Sequence, residues 1–204
     1  MRTLEPSAPT FPLTSLAVEQ DMLVWLERAV IGLNLCPFAK AVHVKGQIHY
    51  AVSRARASCA VLDDLREQLT ALAELDTSVR NTTLLMVPDC FADFLDFNDF
   101  LAEADALLTE LELEGILQIA SFHPDFQFAG TNKDDISNAT NRAPYPTLHL
   151  LREDSIDLAV KAFPHAERIF ERNMQTLERL GVAGWAALGV GRSDRSQNEA
   201  VGAR

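Results

Sequence analysis

Cysteine is scarce in this chain. Cys36, Cys59 and Cys90 are the only three in 204 residues, isolated and odd in number, so they supply neither a disulfide framework nor a CxxC metal pattern. A reducing compartment, the cytoplasm, is the expected home. No stretch approaches the roughly 18 apolar residues that a membrane span requires. The opening MRTLEPSAPTFPLTS carries three prolines and no continuous apolar core, so neither secretion nor membrane insertion is expected. Basic residues are also in deficit. Eighteen Lys and Arg against 29 Asp and Glu leave a net charge of -11, which repels nucleic-acid backbones and anionic membrane surfaces. The familiar motifs of dinucleotide, P-loop, hydrolase-elbow and zinc-protease sites (GxGxxG, GxxxxGK[ST], GxSxG, HExxH) are missing, so no cofactor and no structural metal are expected.

What is present suits one globular core: 48% of residues are hydrophobic and 23% charged, in a length that favours a single domain. Residues 1–14 read as a flexible lead-in and 192–204 as a disordered tail around a domain spanning 15–191. Met22, Leu26, Ala29, Val30 and Leu33 recur at helical spacing after Ser15, a candidate N-cap, and Pro37 forbids continuation. A short strand is expected over 47–53, and Val61, Leu65, Leu69 and Leu72 mark a second helix. The unalternating TTLLMV at 82–87 predicts a strand buried on both faces. A helix beginning at Pro88 and Asp89 is expected to run to about Gly115, its phenylalanines read as core rather than as an aromatic binding box. Strands over 117–122 and 147–151 flank a long polar loop; helices follow at 155–163 and 164–180, ended by Gly181, and GVAGWAALGVG is expected as a strand or loop. The pattern predicts an α/β domain with a central sheet of about four to five strands covered by helices.

The chemistry concentrates in SFHPDFQFAGTNKDDISNATNRAPYPTLHLLRE, residues 121–153. A connection this long inside a compact domain is uncommon unless it is functional or disordered, and Phe126, Phe128 and the proline-bracketed Tyr145 argue that it docks. His123 and His149 are candidate general acid or base groups, each with a structural alternative as a histidine bonded to backbone. Arg142 and Arg152 are candidates for capturing an anion, with Asn141 and Tyr145 beside them; an ion pair of Arg142 with Asp134 or Asp135 is the alternative. The two strands flanking the loop are expected to bring His123, Arg142 and His149 into one cleft. Glu153 reads as a possible site residue or a helix-terminal charge. Cys36 reads as a nucleophile, as a buried structural residue, or as a zinc ligand with His123 and His149, although no ligand spacing supports the last.

Three blocks, GLNLCPFAK, SFHPDFQFAGT and NATNRAPYPTLHLLRE, resemble an uncharacterised family, domain of unknown function fourteen-fifteen, over most of the chain. The resemblance places Cys36, Pro37, Phe38, His123, Pro124, Gln127, Asn141, Arg142, Pro144, Tyr145, Pro146, His149, Arg152 and Glu153 in signature blocks and implies no roles for them. The residues themselves suggest a small-molecule enzyme with an arginine-lined anion pocket and a histidine general acid or base. The rival is a non-catalytic module that senses an anionic metabolite or protein partner; a scaffold with no ligand is the third reading.

Overall fold

An apolar run without polar alternation has no face to give to water, so the strand at Thr82–Met86 must be covered on both sides. Every one of its residues is buried. In the computed structural model, which describes residues 13–162 and 168–193, it is β2 of a four-stranded sheet with β1 (Ile48–Val52), β3 (Leu117–Phe122) and β4 (Thr147–Arg152). The order is β1-β2-β4-β3. β1 and β2 run parallel, joined by the crossover helix α3 (Ser58–Glu74), while β4 is antiparallel to both β2 and β3. The α/β class, the strand count and the pairing of the two strands that flank the long loop follow the sequence reading.

Register decides which side chains share a face. Tyr50, Leu84, His149 and Ala120 form one transverse row, flanked by Ile48, Thr82, Leu151 and Gln118 on one side and by Val52, Met86, Thr147 and Phe122 on the other. This face is covered by α1 (Ser15–Trp25) and the π-helical turn Leu26–Ile31 that continues it, through Met22, Trp25, Leu26 and Ala29. The opposite face carries Leu85, Leu148 and Leu150 and is covered by α3 and α4 (Phe94–Glu110). Leu65, Leu69 and Leu72 of α3 are fully buried there, each contributing roughly 2 kcal/mol of transfer free energy.

Several boundaries differ from those the sequence suggests. Thr14, not Ser15, caps α1, its hydroxyl accepting from the Ala17 amide. A six-residue helix, α2 (Ala39–Val44), follows Pro37 and is too short to show a period. α4 starts at Phe94 rather than at Pro88 because Phe91 sits at φ 56°, outside helical space, and the Asp93 carboxylate accepts from the Leu95 and Asp96 amides. α5 (Glu153–Ala162) begins two residues before the expected start.

The expected helix start at 164 lies outside the described residues; α6 is Ile169–Ala187. Gly181, at φ 68° and ψ 173°, breaks its path without ending it, so the expected terminal strand or loop is helical instead. The expected lead-in and tail lie largely outside the described residues, but Arg192 and Ser193 are docked rather than free: the Arg192 Nε–H donates to the Pro144 carbonyl at 2.8 Å, and the Ser193 amide to Asp21 at 3.1 Å.

Candidate functional site

The loop between β3 and β4 is built around its own polar side chains. Asn138, fully buried, accepts from the Phe128 amide and the Thr131 hydroxyl and donates to the Asn132 carbonyl at 2.8 Å. Arg142 donates through Nε to the Phe126 carbonyl at 3.1 Å and through Nη2 to the Lys133 carbonyl at 2.6 Å. Its guanidinium thus ties two points of the loop together and makes no ion pair with Asp134 or Asp135. Asn141 accepts the His123 amide on its carbonyl at 3.2 Å, and Tyr145 is fully buried with its hydroxyl donating to Asp21 at 2.7 Å. These residues hold the loop shut, and the groups engaged in these contacts are not free for a ligand.

His123 is a closed account of donors and acceptors. It is 1% exposed, its Nδ1 accepts the Asp125 amide at 3.0 Å, and Nε2 must then carry the proton it donates to the Phe91 carbonyl at 2.9 Å. Phe94 and Phe97 pack against the ring, each 5.5 Å away between centroids. Burial lowers its pKa, with Arg192 adding to the effect against the Phe91 carbonyl and Asp125 and Asp93.

The expected common cleft of His123, Arg142 and His149 does not form. Even-numbered residues of β3 face the same way as odd-numbered residues of β4, so His149 pairs with Ala120 and stacks 5.8 Å from Phe122, while His123 points to the opposite face, among the α4 aromatics.

His149 has a different inventory. The single proton of the Thr82 hydroxyl goes to the Leu150 carbonyl at 2.6 Å. The 2.8 Å contact between Thr82 Oγ1 and His149 Nε2 therefore has the imidazole as donor, which fixes the neutral Nε2–H tautomer. Nδ1 is left as a lone pair with no partner among the described residues. It is not among the sealed, unpartnered polar atoms, and His149 lines a cavity of about 630 Å³ between the α1 face of the sheet, α2 and α5. The surrounding apolar atoms push the imidazole pKa down to about 4. Trp25, Leu26, Val30, Phe38 and Val42 supply apolar wall; Asn81 and Ser155 lie at its edge, the Asn81 amide donating to the Ser155 hydroxyl at 3.1 Å.

The remaining candidates divide between this cavity and the frame. Cys36 lines the cavity; burial pushes its thiol above the usual range, against the Phe38 and Ala39 amides, which favour the thiolate. Arg152 also borders the cavity, but its guanidinium reaches back to the end of α3, donating to the carbonyls of Leu72 and Leu75, both at 2.5 Å, and of Arg80 at 3.2 Å. Glu153 opens α5, its amide donating to the Ile116 carbonyl at 3.0 Å. Among the described residues no three His, Cys, Asp or Glu side chains converge as metal ligands.

Sequence reasoning did not single out Thr82, Trp25 or Phe122. Trp25 packs edge-on to Phe122 at 5.1 Å and donates its indole N–H to the Arg142 carbonyl at 2.8 Å, joining cavity wall to loop. The one available signal was the pair Thr82 and Thr83, two hydroxyls opening an otherwise apolar buried run; Thr82 meets His149 and the Leu150 carbonyl, whereas the Thr83 hydroxyl has no partner among the described residues.

Comparison with known proteins adds a family and no activity. A family model described as protein of unknown function (DUF1415) matches residues 17–187. No curated protein and no solved structure matches the chain.

Proposed function

We propose, for a chain that belongs to the DUF1415 family of proteins of unknown function, the function of holding a small molecule in the cavity between α1 and the sheet, against Nδ1 of His149. The observation that carries this reading is a neutral imidazole, with one nitrogen unpaired, in the lining of an apolar cavity of about 630 Å³, a volume within the range of small-molecule sites. An apolar hollow with one oriented polar group is the usual composition of such sites, because burial supplies affinity and the polar group supplies orientation.

The reading departs from the anion pocket expected from the sequence. Arg142 and Arg152 both spend N–H groups on main-chain carbonyls, which speaks against either as an anion clamp. It also favours binding over proton abstraction. An imidazole that holds a proton only below about pH 4 accepts a hydrogen bond well and retains a transferred proton poorly.

A neutral apolar dye tests the site. Nile red should become fluorescent with the protein, shift the Trp25 indole N–H resonance and raise the melting temperature as its concentration rises. Ala159, on α5 at the cavity wall, is the place to block it. Ala159→Trp, verified as folded by its own melting curve, should abolish all three effects. Equal dye binding by the blocked variant would place the dye elsewhere and remove the proposal.

A further inference from the structure

The reading above leaves the kind of molecule open, and the proton inventory of the site narrows it. Thr82 has a single hydroxyl proton and gives it to the Leu150 carbonyl, so His149 must donate through Nε2 and can only accept through Nδ1. A ligand meeting Nδ1 must therefore bring the proton. We infer that the ligand is an uncharged amphipathic molecule, an apolar body ending in one hydrogen-bond donor such as a phenol, an alcohol or an amide N–H, which donates to Nδ1 of His149. This rests on the cavity being a small-molecule site.

Three features of the cavity support this class over its competitors. The wall formed by Trp25, Leu26, Val30, Phe38 and Val42 takes an apolar body. Four of its polar lining residues form one connected line, in which Ser155 accepts from Asn81, which adjoins Thr82, which accepts from His149; Gln118 and Arg152 also border the cavity. The Ser155 hydroxyl proton and the Asn81 side-chain carbonyl remain available on that line, so the donor-bearing end of the ligand has further polar neighbours.

Charge decides the rest. A carboxylate or phosphate would face the Nδ1 lone pair, acceptor against acceptor. At that position it would need the imidazole protonated, which a pKa of about 4 disfavours roughly a thousandfold at pH 7, and Arg152, the one cation of the described lining, already donates to the carbonyls of Leu72, Leu75 and Arg80. An ammonium could donate to Nδ1, but it would enter an apolar cavity without a carboxylate to pair with among the residues that line it.

A matched set of biphenyls tests the inference: 4-phenylphenol, its methyl ether, the 4-carboxylate and the 4-aminomethyl compound, titrated against the full chain at pH 7 and followed on the Trp25 indole resonance. The phenol should bind about tenfold more tightly than the ether, the difference one hydrogen bond makes, and both charged compounds should bind more weakly than the ether. In His149→Leu the advantage of the phenol over the ether should vanish while the ether still binds.

A second readout needs no variant. Long-range nitrogen–proton spectra of the wild-type protein should show Nδ1 of His149 unprotonated, and its resonance should move with the phenol and stay in place with the ether. A carboxylate that binds best, an ether that equals the phenol in the wild-type protein, or an Nδ1 that proves protonated overturns the inference. If none of the four binds while Nile red still does, the ligand class is wrong; if Nile red fails as well, the cavity reading beneath it fails.

Discussion

His123 and His149 lie 26 positions apart at the two ends of one loop, and what separates their roles is the number of partners each ring finds. His123 has both nitrogens paired and so has nothing to offer a ligand, whereas His149 has one paired and one bare. The residue types at 123, 142, 149 and 152 were legible in the sequence as the place where polar chemistry collects. Their partners were not, because a guanidinium on a carbonyl and a guanidinium awaiting an anion have the same one-letter code.

The unequal partnering has a measurable result. The imidazole of His149 titrates near 6.5 when unfolded and about 4 when folded. Between those values the unfolded state binds more protons, so stability is complete above pH 6.5 and is lost as pH falls toward 4. That interval corresponds to about 3 kcal/mol, and the lowered pKa of His123 acts in the same direction. Urea unfolding of the wild-type protein should therefore lose about 2 to 3 kcal/mol more than His149→Leu between pH 7 and pH 4.5. Parallel pH profiles for the two proteins would show that His149 is not held neutral by the fold.

At the scale of elements, the helices and strands with a strong period were readable and those shaped by a single backbone angle were not. α3 declares itself through Val61, Leu65, Leu69 and Leu72, and β2 through its unbroken apolar run. The start of α4 depends on the left-handed φ of Phe91, and the course of α6 past Gly181 on one residue that breaks the helical path without ending it. The facing of β3 depends on a register that shifts every side chain to the other side if it slips by one, which explains why neighbouring strand ends did not mean neighbouring histidines.

Arg152 shows how a residue suited to ligand capture can serve an element instead. Helix ends leave carbonyls without intrahelical partners, and the negative end of the helix dipole adds to the attraction for a cation. Arg152 satisfies the Leu72 and Leu75 carbonyls at the end of α3 from the last residue of β4. Arg152→Ala should cost roughly 1 to 3 kcal/mol in urea unfolding, with Arg152→Lys recovering part of it, since an ammonium cannot span the same carbonyls in one plane. A loss below about 0.5 kcal/mol for the alanine variant would mean that water replaces the guanidinium there without penalty.

For the whole molecule, the two faces of the sheet are held by different means. α3 and α4 close one face with a continuous apolar core, whereas the α1 face leaves a cavity and is fastened by polar bonds between segments far apart in sequence. Asp21 of α1, 6% exposed, accepts from the Tyr145 hydroxyl of the loop and from both the amide and the hydroxyl of Ser193. Arg192 places its guanidinium 4.8 Å over the Tyr145 ring and donates to the Pro144 carbonyl, while Arg28 donates to the Leu188 carbonyl at 3.0 Å. None of this was legible from the sequence, where Asp21 looks like one more acid of a helix and Arg192 and Ser193 like the start of a tail. Hydrophobic periodicity reports which face of an element is buried; it carries no sign of a carboxylate whose partners lie 124 and 172 positions away. A carboxylate so enclosed depends on all its donors together, because removing one leaves the rest to offset the same desolvation. Tyr145→Phe and Ser193→Ala should each destabilise by about 1 to 2 kcal/mol, and Asp21→Asn by more, since its amide would set N–H groups against the donors that now converge on oxygen. Combining Asp21→Asn with Tyr145→Phe should cost less than the two singly by at least about 0.5 kcal/mol, because the lost tyrosine bond is counted in both. Urea-unfolding free energies of the four proteins measure that coupling. Additivity within about 0.3 kcal/mol would mean that Asp21 and Tyr145 contribute independently and that their hydrogen bond adds nothing of its own to the α1 face.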